Sequence, residues 1–254
     1  MSEVTALGRR LAAAGFIAAD DEALELVATA GNDAELLESM VVRRLTGEPL
    51  AWITGSVIFA GIPLHIDVGV YVPRWHTERL ALRAAEWLPA NGVAVDLCTG
   101  CGAVARVLVG RHPGARVTAT DVDAKAVACA RANHVDAHEG DLFAPLPRAV
   151  EDQVDVVTAV VPYVPTDELS LLQRDTFTFE TTLAYDGGRD GADVLRRVVR
   201  DSPRWLRRGG ALLLELGGAQ SDLLADDLAQ AGFSDATTIV DDDGDVRGFE
   251  ALLA

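Results

Sequence analysis

The stretch "VDLCTGCG", Val95 to Gly102, gathers a carboxylate, two thiols, a hydroxyl and two glycines within eight positions. It joins an apolar run, "VAVDL", to the amphipathic "GAVARVLVGRH". A glycine loop between a strand and a helix brings backbone amides close to a bound ligand. Gly100 and Gly102 permit the tight turn, with Cys98 and Thr99 in the loop beside them. Asp96 closes the strand. Asp121 ends the next one, "ARVTATD", about 20 residues on, where an acid can hold ribose hydroxyls. Asp141, in "EGDLF", ends the following strand region, and Val122 and Leu142 flank these two acids. Three strand-end acids in this order define a nucleoside-binding crevice. Its ligand is a dinucleotide or S-adenosylmethionine. The third glycine of the dinucleotide fingerprint is missing, since Val104 and Ala105 follow Gly102. Asp96 suits a cationic, amino-acid-bearing ligand better than a pyrophosphate, so S-adenosylmethionine is expected.

Cys98 and Cys101 also spell C-x-x-C at a helix start, where a thiolate would be stabilised. Zinc wants about four ligands, and neither a second such pair nor a paired histidine accompanies them. They are read as small residues of the ligand loop, and no metal is expected.

The elements that must position these residues follow from periodicity. Downstream of Val93, strand runs alternate with helical ones: "VAVDL", "ARVTATD", "VDVVTAVV" and "GALLLEL" against "GAVARVLVGRH", "DAKAVACARANH", "ADVLRRVVRDSPRWL" and "AQSDLLADDLAQAG". That alternation predicts an α/β fold with a mostly parallel sheet covered on both faces. The tail, "ATTIVDDDGDVRGFEALLA", reads as two strands around an acidic turn in solvent. Ahead of the sheet lie three short helical segments, "ALGRRLAAAG", "DDEALELVATAG" and "DAELLESMVVRRLTG", the last with Asp33 as N-cap. "LAWITGSVIFAGIPLHIDVGVYV" predicts a β-hairpin, and a helix after Pro73 runs to Leu88. The expected division is a helical unit over 1–48, a hairpin linker over 49–72 and the α/β domain over 73–254.

The net charge of −17 argues against a partner held through nucleic-acid phosphates. No apolar run approaches the roughly 18 residues of a membrane span, and no signal sequence follows Met1, so a cytoplasmic protein is expected.

Five ordered stretches carry a resemblance to the HemK/PrmC-type protein glutamine methyltransferases. "RRLTGEPLAWITG" resembles that family's linker, and "VPRWHTE" is similar to its Pro-Arg-x-x-Thr-Glu signature. "DLCTGCG" resembles its cofactor loop, "LAYDGGRDG" its late Gly-Gly loop and "LLLELGGAQ" the strand and turn beyond. The resemblance implies a class I methyltransferase with a seven-stranded, Rossmann-like sheet, S-adenosylmethionine as cofactor and a helical substrate-recognition domain. It also implies a protein glutamine amide as acceptor, in a peptide release factor.

One position departs from the pattern. The family carries Asn-Pro-Pro-Tyr, whereas this chain has Val160-Val161-Pro162-Tyr163. By the resemblance, Val160, Pro162 and Tyr163 line the acceptor site. The family's Asn oxygen accepts one amide hydrogen of the glutamine, and valine has no atom to do so. The alternatives are a different acceptor (another protein group or a small metabolite), a substitute side chain, or a weakly active cofactor binder. Thr77 and Glu78 either face the cofactor or cap their helix, Arg74 reads as a structural ion-pair partner, and His76 reads as a surface histidine or a base.

Overall fold

The computed structural model describes residues 3–171, 179–218 and 220–254. It opens with helices α1 (Glu3–Ala13), α2 (Ala19–Ala30) and α3 (Ala34–Leu45). Asp33 caps α3 through the N–H of Leu36, and Arg43 and Arg44 sit in its last, electronegative turn. Leu7, Leu11, Ala23, Leu26, Met40 and Val41 turn inward and form an apolar cluster of their own.

The linker differs from the expected hairpin. It begins with a short helix, α4 (Leu50–Thr54). Ile53 packs into the N-terminal cluster, while Ala51 and Trp52 join the core of the sheet domain. A helical turn can point neighbouring residues to two sides in this way, and burial on both sides overrides the β-branched composition. The hairpin proper is β1 (Ser56–Phe59) with β2 (Ile62–His65), turning at Ala60 and Gly61, both with positive φ. The Trp52 indole N–H donates to the Val70 carbonyl at 2.8 Å and ties α4 to the chain beyond the hairpin.

After α5 (Thr77–Trp87) the chain alternates through β3 (Val93–Leu97), α6 (Ala103–Arg111), β4 (Arg116–Asp121), α7 (Ala124–Ala132), β5 (Asp136–Glu139), β6 (Val154–Ala159), α8 (Asp193–Asp201) and β7 (Leu206–Glu215). The expected single helix of the next segment is two pieces, α9 (Gln220–Leu223) and α10 (Ala225–Gln230); its first residue, Ala219, lies outside the described residues. The break turns Leu224 into the core and leaves Leu223 exposed. Strands β8 (Phe233–Val240) and β9 (Val246–Leu253) finish the chain.

The seven strands lie in the order β5-β4-β3-β6-β7-β9-β8. Strands β3 to β7 are parallel, and β9 enters antiparallel between β7 and β8. Alternation along β3 sends Ala94 to one apolar layer and Val95 and Leu97 to the other, so both faces are covered. The chain passes to opposite sides of β3 to make β4 and β6. That reversal leaves a crevice beyond the carboxyl ends of β3 and β6.

The acidic turn is also more ordered than expected. Asp241 is buried and accepts the N–H groups of Asp243 and Asp245 and the Arg247 guanidinium at 2.7 Å. One carboxylate organises the turn, and its acidic neighbours face water.

Candidate functional site

The crevice opens into a cavity of about 720 Å³. At its base Asp96 is 1% exposed. The parallel register sets Asp96 opposite Thr158 on β6, whose hydroxyl donates to Asp96 Oδ1 at 2.7 Å. Thr99, from the loop, donates to Oδ2 at 2.6 Å. No Arg or Lys pairs with Asp96 among the described residues. Burial pushes its carboxyl up to about 6 against these hydroxyls and the Ala105 N–H, and the nearby Asp121 adds to the rise.

Alternate loop residues take left-handed backbone: Cys98 at φ 54°, Gly100 at 56° and Gly102 at 85°. A Cβ on Gly100 would meet nothing within 4 Å, so this backbone stands open. The Gly100 N–H is held by Asp121 Oδ2 at 2.9 Å, and Oδ1 takes the Asp123 N–H at 2.9 Å. Asp121 therefore braces the loop as well as facing the cavity, and burial raises its carboxyl. Gly102 differs. It does not line the cavity, and a Cβ there would fall 2.8 Å from Val135 Cγ2 and 3.2 Å from Ala130 Cβ. Its role is to let α6 begin against α7.

Asp141 lies past the end of β5 rather than on it, and pairs with Arg197 of α8 at 2.5 Å at the rim. Leu142 lines the cavity with φ 48°, a strained conformation for a branched side chain. Val122 presents an exposed apolar side chain beside it.

The thiols are protonated, in keeping with their reading as small residues of the loop rather than a thiolate pair. Burial, then Asp121, Asp96 and Asp141, pushes Cys98 far above the ordinary thiol range, and burial does the same to Cys101. Both stay protonated at neutral pH despite the helix start. Iodoacetamide at pH 7.5 is therefore expected to label neither rapidly in the folded protein; fast labelling of Cys98 would contradict this. Elsewhere, His65, Asp67 and Cys129 bring three potential ligand atoms within 4.8 Å of one another, with His65 and Asp67 exposed.

The other end of the cavity is walled by Val160, Pro162 and Tyr163, with Trp75 and His76 nearby. The late glycine loop holds this segment by backbone contact. Val164 N–H donates to the Tyr185 carbonyl and Gly187 N–H to the Val164 carbonyl, each at 2.9 Å. A Cβ on Gly191 would sit 2.3 Å from the Tyr163 oxygen and 2.5 Å from Gln220 Nε2, at φ 76°. Gly191→Ala is expected to destabilise the chain by about 1–3 kcal/mol, measurable as a lowered Tm. An unchanged Tm would show that the loop has slack.

Two carboxylates that the motifs did not single out, Glu180 and Glu215, organise this end. Glu180 accepts the Val72 N–H at 3.0 Å and the Arg74 guanidinium at 2.5 Å, and also the Tyr185 hydroxyl. Arg74 is thus a structural partner, as expected, although it also faces the cavity. Glu215 is 1% exposed and accepts the Thr77 hydroxyl at 2.5 Å and the Tyr163 hydroxyl at 3.3 Å; His76 Nε2 lies 3.4 Å away. Burial, reinforced by Glu215, raises the Tyr163 phenol far above its ordinary range. Glu78 instead turns away and accepts the Ala60 N–H, tying α5 to the hairpin. His76 is not a surface residue but part of the cavity wall. The signal for Glu215 was present as a lone charge in the apolar run "GALLLEL", and that for Thr158 as the hydroxyl in "VDVVTAVV".

A methyltransferase-domain family model matches residues 94–176. The release factor glutamine methyltransferase of Streptomyces coelicolor is 34% identical over 242 residues, covering 87% of this chain and 85% of its own. That of Geobacter sulfurreducens is 33% identical over 211 residues, covering 81% and 73%. In fold, a methyltransferase from Pyrococcus furiosus matches with a TM-score of 0.55 at 18% identity, over 85% of this chain and 99% of that one. The sheet with its antiparallel β9, the acidic crevice and these matches define an S-adenosylmethionine-dependent methyltransferase of class I. The chain belongs to the release factor glutamine methyltransferase family. Among the described residues, no helix is long and apolar enough to cross a membrane.

Proposed function

We propose that this chain methylates a side chain of a protein, and that the accepting group is a hydroxyl or amine rather than a carboxamide. S-adenosylmethionine, when bound, supplies an electrophilic methyl group on a sulfonium. The residues present fit it. Asp96 is a buried carboxylate without a cation, suited to the ligand's positive charge. Asp121 faces the cavity with lone pairs to spare for ribose hydroxyls, and Gly100 leaves the backbone open. Thr99 and Cys98 complete the loop wall, while Val122, Asp141 and Leu142 border the nucleoside side.

The observation that carries the acceptor reading is the wall around Val160. No Asn or Gln lines the cavity among the described residues. The nearby carboxamide of Gln220 is engaged, donating to the Tyr163 carbonyl at 2.6 Å and accepting the Gly217 N–H at 3.0 Å. An amide nitrogen is a poor nucleophile because its lone pair is delocalised, and it needs acceptors on both hydrogens to be pinned. A buried donor left unpaired costs about 1–3 kcal/mol. A hydroxyl or amine has no such requirement.

A release factor glutamine remains the second reading, favoured by family membership alone. Incubation with labelled S-adenosylmethionine, a release factor and cell-extract proteins, followed by mass spectrometry of the labelled residue, separates the two. A methylated glutamine made efficiently by the unaltered chain overturns the proposal.

A further inference from the structure

Three buried carboxylates in this protein are matched by a guanidinium, while Asp96 in the loop and Glu215 are not. Glu180 has Arg74, Glu250 has Arg83 and Asp241 has Arg247. Glu215 is different. Its ion-pair partner among the described residues is the His76 imidazole, which is charged only when it holds an extra proton. Two hydroxyl donors, Thr77 and Tyr163, hold the carboxylate in place. The His76 side chain is 21% exposed against 1% for Glu215, so the ring can be reached and the carboxylate cannot.

The position of the ring matters as much as its partner. His76 and Tyr163 line both the large cavity and a second one of about 190 Å³, which Gly217, Gly218 and Arg247 also border. The imidazole therefore stands at the partition between the acceptor end of the first cavity and a separate opening. Nε2 is the ring nitrogen nearest Glu215, 3.4 Å from its Oε1, which leaves Nδ1 as the nitrogen to meet another group. The charged groups around the ring come from several elements. Glu215 ends β7, Tyr163 follows β6, and Asp245 and Arg247 border the smaller cavity. Arg247 is itself neutralised by Asp241 at 2.7 Å and Asp245 at 3.1 Å, so Glu215 is the uncompensated charge facing His76.

We infer that His76, oriented by Glu215, takes the proton that the methyl acceptor loses, and that the smaller cavity returns this proton to solvent. The inference rests on the reading that the acceptor enters beside Val160 and Tyr163. The acceptor's oxygen or nitrogen forms its bond to the methyl carbon as the carbon–sulfur bond breaks, its electron pair passing to sulfur. The acceptor's own proton moves to His76 Nδ1. The imidazolium so formed lies against the Glu215 carboxylate, and loss of its proton to water resets the ring. His76 is the group that meets the acceptor; Glu215 is a positioning residue acting through it.

The test uses the full chain, tritiated S-adenosylmethionine and cell-extract proteins. His76→Ala is expected to lower kcat about 10²- to 10⁴-fold, with the Kd for S-adenosylmethionine by calorimetry unchanged within about twofold. Free imidazole is expected to restore at least part of that loss, and His76→Gln to remain slow without rescue. Nitrogen-15 NMR of the unaltered protein is expected to show the Nε2–H tautomer at His76, and Glu215→Gln to weaken that preference. Full activity in His76→Ala, or an Nδ1–H tautomer in the unaltered protein, overturns the inference. If the unaltered chain binds S-adenosylmethionine but labels no protein, the protein-acceptor reading fails instead, and an Nδ1–H tautomer at His76 still overturns the inference on its own.

Discussion

Asp96→Asn is expected to lower the affinity for S-adenosylmethionine by roughly 30-fold to several-thousand-fold, the usual 2–5 kcal/mol for removing one partner of a buried charge pair. The same change is expected to stabilise the ligand-free protein at neutral pH. Both follow from a carboxylate that is fully buried, held by two hydroxyls, and without a cation. The sign can be worked through. Burial lifts the folded Asp96 carboxyl to about 6, above the ordinary carboxylate range. The folded chain therefore holds this proton more tightly than the unfolded one. The stability it contributes is full below the ordinary range and is lost as pH rises through about 6. A cationic ligand has the opposite preference and needs the ionised form. Affinity is thus expected to be level above about pH 7 and to fall by up to tenfold per pH unit below about 6, when Asp96 is protonated. Calorimetry from pH 5 to 8 reads the first effect and thermal melts of the ligand-free protein the second. An Asp96→Asn variant that binds normally would place the ligand's charge elsewhere.

Val160→Asn is expected to raise methylation of a release-factor glutamine by about 10²–10³-fold, the range measured for one positioned hydrogen bond in a transition state. The substitution is conservative in its surroundings. Val160 is only partly buried, lines the cavity, and is followed by the Pro162-Tyr163 backbone that the late glycine loop clamps. An introduced carboxamide would face the acceptor end, where none now lies among the described residues. It would also leave the cofactor end untouched, so the Kd for S-adenosylmethionine is expected to stay within about twofold. Label transfer to the release factor, compared between the two proteins at saturating cofactor, measures the gain. If the unaltered chain already labels that glutamine as fast as the variant does, Val160 is not the determinant and the substitute lies elsewhere in the wall.

Much of this site was legible before any coordinates. The loop from Asp96 to Gly102 could be read because its chemistry is local: strand, turn and helix follow one another, and glycine is needed where φ turns positive. The acids at Asp121 and Asp141 were legible for the same reason, since a βαβ repeat places each near a strand end. Four strands of the alternating array and the two of the tail followed from composition and period, with a further strand region before Asp141, and the count of seven came from the family resemblance. C-x-x-C at a helix start reads here as two small loop residues rather than a thiolate pair, and burial with three carboxylates keeps Cys98 protonated. What misled was also local. Three adjacent buried residues in α4 looked like part of a strand because composition does not say how many sides must be covered.

The sequence by itself determined the methyltransferase sheet, the glycine loop after β3 and the departure at Val160, because each is written in neighbouring residues. Only the tertiary structure decided what surrounds that departure. Thr158 reaches Asp96 through strand register, 62 positions apart in the chain. Thr77 reaches Glu215 across 138, and Arg74 reaches Glu180 across 106. Gly102 and Gly100 are two residues apart, yet one packs against α7 and the other opens to the cavity. His76 reads from the sequence as a surface histidine or a base, and only the end of β7 sets a buried carboxylate without a guanidinium beside it. Contacts between distant segments depend on how strands pair and helices pack, and a linear pattern of residue types carries no record of that distance.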